Sequence, residues 1–277
     1  MAKVGAGGMK CPEAGTADFS LTDPAARLQV RILDATAEPA TGYQPILSVL
    51  KSASAARQPA TMQLAGLHEP YARPATDDTA FYAKPRLVDH LDTTALGYWR
   101  DFTGRFVQDG MTVLDLMASH DSHLPPQVRP ASLTGLGMNA TELEENSALT
   151  TRLVHDLNAN PTLPCATASF DRVLCALSIE YVERPEAVLR EVARVLKPGG
   201  ICMISFSERW FPPKAVLPWP PLSSFVRQAW VLRHLQRAGF QNLHSASLRG
   251  YPRPPDDKYI LYTQLADPLY AVWGSVG

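Results

Sequence analysis

Residues 169–207, SFDRVLCALSIEYVERPEAVLREVARVLKPGGICMISFS, constrain the fold more than any other part of the chain. The apolar run at 169–179 has the length and composition of a buried strand. After a polar loop, RPEAVLREVARVL at 184–196 places Val188, Leu189, Val192, Val195 and Leu196 on one helical face. Lys197-Pro198-Gly199-Gly200 stops that helix, and ICMISFS at 201–207 is a second buried strand. Strand, amphipathic helix and strand in this order predict an α/β sheet with helices laid against it.

The same alternation runs from about residue 80 onward. A helix is expected within 81–106, after Pro85, and strands at 111–117, 131–138 and 151–158, with a helix at 139–149 between the last two. A helix at 222–238 ends at Gly239. FQNLHSASLRG (240–250) and KYILYTQLA (258–266) read as a final antiparallel hairpin closing the sheet edge. Residues 1–78 lack a strand rhythm and are expected to form a helical or irregular N-terminal extension, a possible lid or a partly disordered leader. Helices are expected there at 23–35, behind Asp23 and Pro24, and at 43–58. The main domain is then 79–277.

The charge balance, 26 basic against 27 acidic residues, offers no basic stripe for nucleic acid. No apolar run reaches the roughly 20 residues of a membrane span, and the opening MAKVGAGGMKCPEAG has no apolar core of a signal peptide. The four cysteines, Cys11, Cys165, Cys175 and Cys202, form no CxxC, and two sit inside strand-like runs. These features predict a cytoplasmic protein with reduced thiols. The histidines, His68, His90, His120, His123, His155, His234 and His244, show no ligand spacing with acids or cysteines, so no metal is expected.

The 169–207 segment, preceded by LPCATA, resembles the second half of class I S-adenosylmethionine-dependent methyltransferases. The likeness spans about residues 85–266. DLMASHDSHLP, GLGMN, HDLNANPTLP and SFSERWFPPKAV narrow it to a methyltransferase type 11-like branch whose first loop also lacks the usual glycines. The resemblance implies a Rossmann-like class I methyltransferase sheet, mostly parallel with an antiparallel C-terminal strand, and S-adenosyl-L-methionine as cosubstrate or substrate. In VLDLMASHDSHLP (113–125), Met117, Ser119 and Asp121 stand where small residues are expected. A sulfonium nucleoside carries no pyrophosphate, so its loop needs no row of backbone N–H groups.

The implied site follows residue by residue. Asp115, ending the first strand, would hold the ligand ammonium. Ser119, Ser122 and His123 would bond its amino-acid end or fix the loop. The acid that ordinarily binds the ribose hydroxyls is replaced by Gly137, which leaves Asn139 and Glu142 as candidates, each equally able to cap the next helix. Asp156, the Leu157 backbone and Asn158 correspond to the adenine end. Ser178 follows the fourth strand. For the reacting end, Tyr82, Glu180 and Tyr181 are the catalytic candidates, because a sulfonium attracts aromatic faces; Arg209, Trp210 and Lys214 are further residues of the same region.

Three activities remain compatible with these residues. The first is methyl transfer to a small-molecule acceptor. The second is cyclisation of S-adenosylmethionine itself to azetidine-2-carboxylate with release of methylthioadenosine, as in azetidine-2-carboxylate synthases. The third is binding without turnover.

Overall fold

A computed structural model of the chain describes residues 69–75 and 77–277 and, before them, two strands, β1 (Thr16–Ala17) and β2 (Gln29–Asp34). The later elements are α1 (Asp78–Tyr82), α2 (Thr93–Thr103), β3 (Thr112–Leu116), β4 (Ser132–Gly137), α3 (Ala140–Glu145), β5 (Thr151–Val154) and β6 (Phe170–Ala176). A single 3-10 turn at Ile179–Tyr181 leads to α4 (Pro185–Val195), β7 (Leu196–Ser207), α5 (Ser224–Arg237), β8 (Gln241–Arg249) and β9 (Leu269–Ser275).

The described strands form one sheet in the order β1-β2-β8-β9-β7-β6-β3-β4-β5. Strands β3 to β7 are parallel, and β9 is antiparallel to both β7 and β8. This is the expected Rossmann-like arrangement. The chain order reverses at β3, which lies between β4 and β6, with Leu114 opposite both Thr134 and Val173. In open α/β sheets such a reversal leaves a crevice beyond the carboxyl ends of the strands.

Side-chain alternation divides the core between the two faces. Leu114, Val173, Cys175, Cys202 and Ile204 face α4 and α5, packing with Val188, Leu189, Val192 and Trp230. Val113, Leu174 and Met203 face the other way, against Leu96, Trp99 and Phe102 of α2 and Leu143 of α3. Both faces are covered, which is why these strands read as continuous apolar runs. Each fully buried aliphatic side chain contributes about 1.5–3 kcal/mol, and this anchors α4 to the sheet.

Four expectations are corrected. Residues 81–106 do not form one helix after Pro85. They hold the end of α1, an irregular stretch at 83–92, and α2, which starts where the Asp92 carboxylate accepts the Ala95 N–H. The strand expected at 201–207 begins five residues earlier. Phe170 pairs with Leu196 and Arg172 with Ile201, so Lys197–Gly200 bulge out of the ladder, helped by Gly199 at φ 75°. KYILYTQLA is not a strand: Leu261 and Tyr262 are 93% and 85% exposed in a run of turns. The partner of β8 is β9 instead, whose Leu269–Val272 are buried and suit a place between two strands. Nor does β8 close the sheet, because β2 pairs with it in parallel, Val30 opposite Ser245. The helix expected at 23–35 is therefore overridden across 29–34, where Val30 and Ile32 fit period 2 as well as a helix. The other expected helix, 43–58, lies outside the described residues.

No helix among the described residues is long and apolar enough to cross a membrane. Leu189, 1% exposed between α4 and the sheet, provides a test of the packing. Leu189→Ala is expected to lower unfolding free energy by about 2–5 kcal/mol, read as a lower urea midpoint at unchanged slope.

Candidate active site

A crevice opens at the carboxyl ends of β3, β4, β5 and β6, beneath α1 and the 83–92 stretch. Its floor is fixed by the loop after β3. Met117 adopts φ 60°, the left-handed region that glycine favours and that costs other residues about 1–2 kcal/mol. The chain then crosses the end of β4, where the Ala118 N–H donates to the Leu136 carbonyl at 2.8 Å. The Ala118 carbonyl oxygen sits over Gly137, 2.2 Å from where a β-carbon would be. No side chain fits at position 137, so the acid expected there is sterically excluded. Leu177, just after β6 and across the crevice, is a second non-glycine residue with positive φ, 53°.

Asp115 points into this crevice. It is 4% exposed, and its Oδ2 has no hydrogen-bond partner. Burial pushes its pKa up to about 6, opposed by a hydrogen bond with Ser122 and by the nearby His123. Ser122 does not line the crevice. Its hydroxyl also accepts a bond from Asn146 and so orients Asp115 from behind. Ser119 and His123 do line it, but both are engaged. The Ser119 hydroxyl donates to Glu142 at 2.7 Å. His123 Nδ1 lies 3.0 Å from the Asp121 carboxylate, which also accepts from Arg100. His123, more than any other neighbour, holds the Asp121 carboxyl well below the usual range.

Asn139 and Glu142 both reach the crevice as scaffold. Asn139 caps α3 by accepting the Glu142 N–H, and its amide donates to the Tyr82 and Ala83 carbonyls. Glu142 accepts from Ser119 and from the Arg86 N–H. On the β5 side, Asp156 receives the Asn158 and Ala159 N–H groups. Leu157 is buried and lines the crevice. Asn158 is a strut, donating to Asp78 and to the Tyr181 carbonyl and accepting from the Glu183 N–H.

Of the reacting-end candidates, Tyr82 and Tyr181 line the crevice, as does Ser178, a candidate for the cofactor. The Ser178 hydroxyl is spent on the Ala176 carbonyl, and the Tyr181 hydroxyl accepts the Phe211 N–H at 3.0 Å. Burial raises the pKa of both tyrosines, so each offers an aromatic face in place of a phenolate. Glu180 is not in the crevice. It is fully buried, neither carboxyl oxygen has a partner, and burial pushes its pKa up to about 8. Lys214 is also withdrawn: its buried ammonium pairs with Asp78 at 2.7 Å.

Arg209 and Trp210 line a second cavity with Ser207, Glu208 and Pro212, at the end of β7. Four residues, His90, Leu177, Tyr181 and Phe211, line both spaces. His90, His120, Arg86 and Phe211 also line the crevice, and nothing in the sequence spacing marks them: Arg86 and His90 stand in the irregular 83–92 stretch, His120 and Phe211 in the loops after β3 and β7. Burial pushes the Cys202 thiol up to about 12 and that of Cys175 well above the usual value, so neither is a thiolate at neutral pH. The fold does gather two carboxylate–histidine groups that sequence spacing hid, Glu69/Glu186/His234 and Asp89/Asp121/His123. Each already contains an arginine contact, Arg237 on Glu186 and Arg100 on Asp121.

Comparison with known proteins follows the same lines. Residues 121–204 match the family described as "Methyltransferase domain". That match runs from the loop after β3 into β7. A 90-residue stretch is 38% identical to 2-methyl-6-phytyl-1,4-hydroquinone methyltransferase 1, chloroplastic, of Oryza sativa subsp. japonica, covering 29% of this chain and 24% of that protein. A 106-residue stretch is 32% identical to the ubiquinone biosynthesis O-methyltransferase of Xanthomonas oryzae pv. oryzae, covering 38% and 40%. The matches thus span well under half the length of either relative. A solved methyltransferase of Thermotoga maritima, described as a possible histamine N-methyltransferase, aligns with 66% of this chain and 90% of its own at 15% identity and TM-score 0.47. The crevice occupies the sheet's switch point, and the glycine missing from the first loop reappears at the end of β4.

Glu180 provides a test of the site's interior. Its folded pKa lies near 8 against an ordinary 4.5. Across that window the unfolded chain loses the proton first, so stability falls as pH rises, by up to about 1.4 kcal/mol per pH unit. Glu180→Gln is expected to flatten this slope and raise the melting temperature at pH 7.5, measured by thermal denaturation from pH 5 to 8. An unchanged slope contradicts the buried neutral acid.

Proposed function

We propose that this chain binds S-adenosylmethionine in the crevice and transfers its methyl group to a small-molecule acceptor. The observation that carries this reading is the unpartnered Asp115 Oδ2, buried and facing the crevice. A buried carboxylate oxygen without a partner is costly unless a donor arrives with the ligand. The ammonium of a methionyl group is such a donor. Ala118 and Met117 supply the backbone beside it, Asp156 and Leu157 suit the adenine end, and the Tyr82 and Tyr181 faces suit a sulfonium. The ribose hydroxyls are left to Glu142 and Asn139, whose carboxylate and carbonyl oxygens each keep further accepting capacity.

Bound S-adenosylmethionine supplies an activated methyl group, and transfer is a displacement in line with the leaving sulfur. The protein's part is alignment and exclusion of water. The second cavity favours an external acceptor over cyclisation to azetidine-2-carboxylate, because self-attack needs no adjoining space. One relative is named for a 1,4-hydroquinone and the other for ubiquinone biosynthesis, which agrees with a small-molecule acceptor.

Two measurements test this. Incubation with S-adenosylmethionine and a small-molecule extract is expected to give S-adenosylhomocysteine, with no methylthioadenosine from the ligand alone. Methylthioadenosine without acceptor supports cyclisation, and binding without either product supports a non-catalytic module. In calorimetry, Asp115→Asn is expected to weaken S-adenosylmethionine about 10- to 150-fold, since a hydrogen bond to a charged group contributes about 1.5–3 kcal/mol. Because the free carboxyl has a pKa of about 6, wild-type affinity is expected to fall as pH drops through that value, and the Asn variant's is not. Unchanged affinity in the variant removes Asp115 from the site.

A further inference from the structure

We propose that the second cavity receives the acceptor as a hydroxylated aromatic ring and that His90 takes the proton of its hydroxyl. This rests on the reading of the crevice given above.

The argument starts from the residues shared by the two spaces, His90, Leu177, Tyr181 and Phe211. A group that assists methyl transfer has to stand where the donor and acceptor spaces meet. Leu177 and Phe211 have no side-chain base. The Tyr181 hydroxyl is held by the Phe211 N–H, and burial raises its pKa. Only His90 brings a nitrogen lone pair. His90 is exposed, and its ring meets Phe211 edge-on at 5.4 Å.

The other polar groups of the second cavity are committed. The Ser207 hydroxyl accepts the Arg209 N–H, Glu208 pairs with Arg227, and Arg209 pairs with Asp267. Trp210, Phe211 and Pro212 leave flat apolar walls that suit an aromatic ring. Arg209, more than a third of whose side chain is exposed, favours negative charge developing on a phenolic oxygen.

The electrostatics fit a base. Desolvation is the largest influence on His90 and lowers its pKa; His120 and Arg86 act the same way, and Glu142 and Asp89 oppose them. The ring is therefore neutral at neutral pH and able to accept a proton. In the step itself, the acceptor oxygen forms a bond to the methyl carbon as the carbon–sulfur bond breaks. The electron pair stays on sulfur, whose positive charge is lost. The hydroxyl proton passes to His90, so the charge moves from sulfonium to imidazolium.

The test uses the full chain, S-adenosylhomocysteine to fill the crevice, and 4-nitrocatechol as a chromophoric probe. At a pH below the probe's first ionisation, wild type is expected to give saturable phenolate absorbance. His90→Gln is expected to bind the probe within about threefold but to lose at least tenfold of the bound phenolate, with an unchanged melting temperature. Failure of the probe to bind saturably while S-adenosylhomocysteine binds normally overturns the acceptor cavity. Full phenolate absorbance in His90→Gln overturns the base. If S-adenosylhomocysteine itself does not bind, the reading of the crevice falls, and this inference with it.

Discussion

The contact of the Ala118 carbonyl with Gly137 is the constraint from which the rest of the site follows. A loop leaving β3 has to cross the end of β4 to form a floor. One way to gain clearance is to put glycines in the loop. This chain puts the glycine in the strand being crossed, and the Ala118 N–H then locks onto Leu136. Two consequences are forced. Position 137 carries no carboxylate, and Met117 takes on a left-handed backbone, with its side chain packed against the core face that holds Leu114 and Val173. Strain of this kind persists where packing over-determines it.

The roof of the crevice depends on a different device. Asp78, at the start of α1, receives Arg73, Lys214 and Asn158, groups that come from three separate parts of the chain. Burial alone would raise the Asp78 carboxyl. The three donors outweigh it and hold its pKa below the ordinary value. A buried ion cluster of this sort is a poor source of net stability, because desolvation offsets much of the attraction. Its effect is geometric: Asn158 also grips the Tyr181 carbonyl and the Glu183 N–H, so α1, the β5 loop and the 3-10 turn are tied to one another. Tyr82 and Tyr181 are thereby aimed into the same space.

The sheet was legible because β3, β4, β6 and β7 are buried on both faces, and continuous apolar runs admit few other structures. Legibility failed where two elements competed for one role. KYILYTQLA and LYAVWGS both suit a strand beside β8, and only burial between two neighbours separates them, a tertiary fact. QVRILD fits a helical face and a pleat equally until β8 offers an edge. Asp115, Asp156 and Tyr181 were legible as crevice residues because they sit at strand ends or just beyond them, whereas Tyr82 ends α1. Glu180 was misread because its neighbour Tyr181 turns into the crevice while Glu180 turns into the core. His90 was missed because an irregular stretch carries no periodicity to say which way a side chain points.

Most polar groups around the crevice are already satisfied by one another. Asn139 and Asn158 serve as struts, Ser119 and Ser178 donate to fixed acceptors, and the Tyr181 hydroxyl is held by backbone. Such a network rigidifies a pocket but leaves little to recognise a ligand. What stays open is therefore more informative than what is present. Asp115 Oδ2 is buried without a partner, the exposed His90 ring offers its nitrogens, and both residues line the space where the strands end. One is an anion that asks for a cation, the other a neutral base that asks for a proton. A sulfonium-bearing amino acid beside an acidic hydroxyl supplies both.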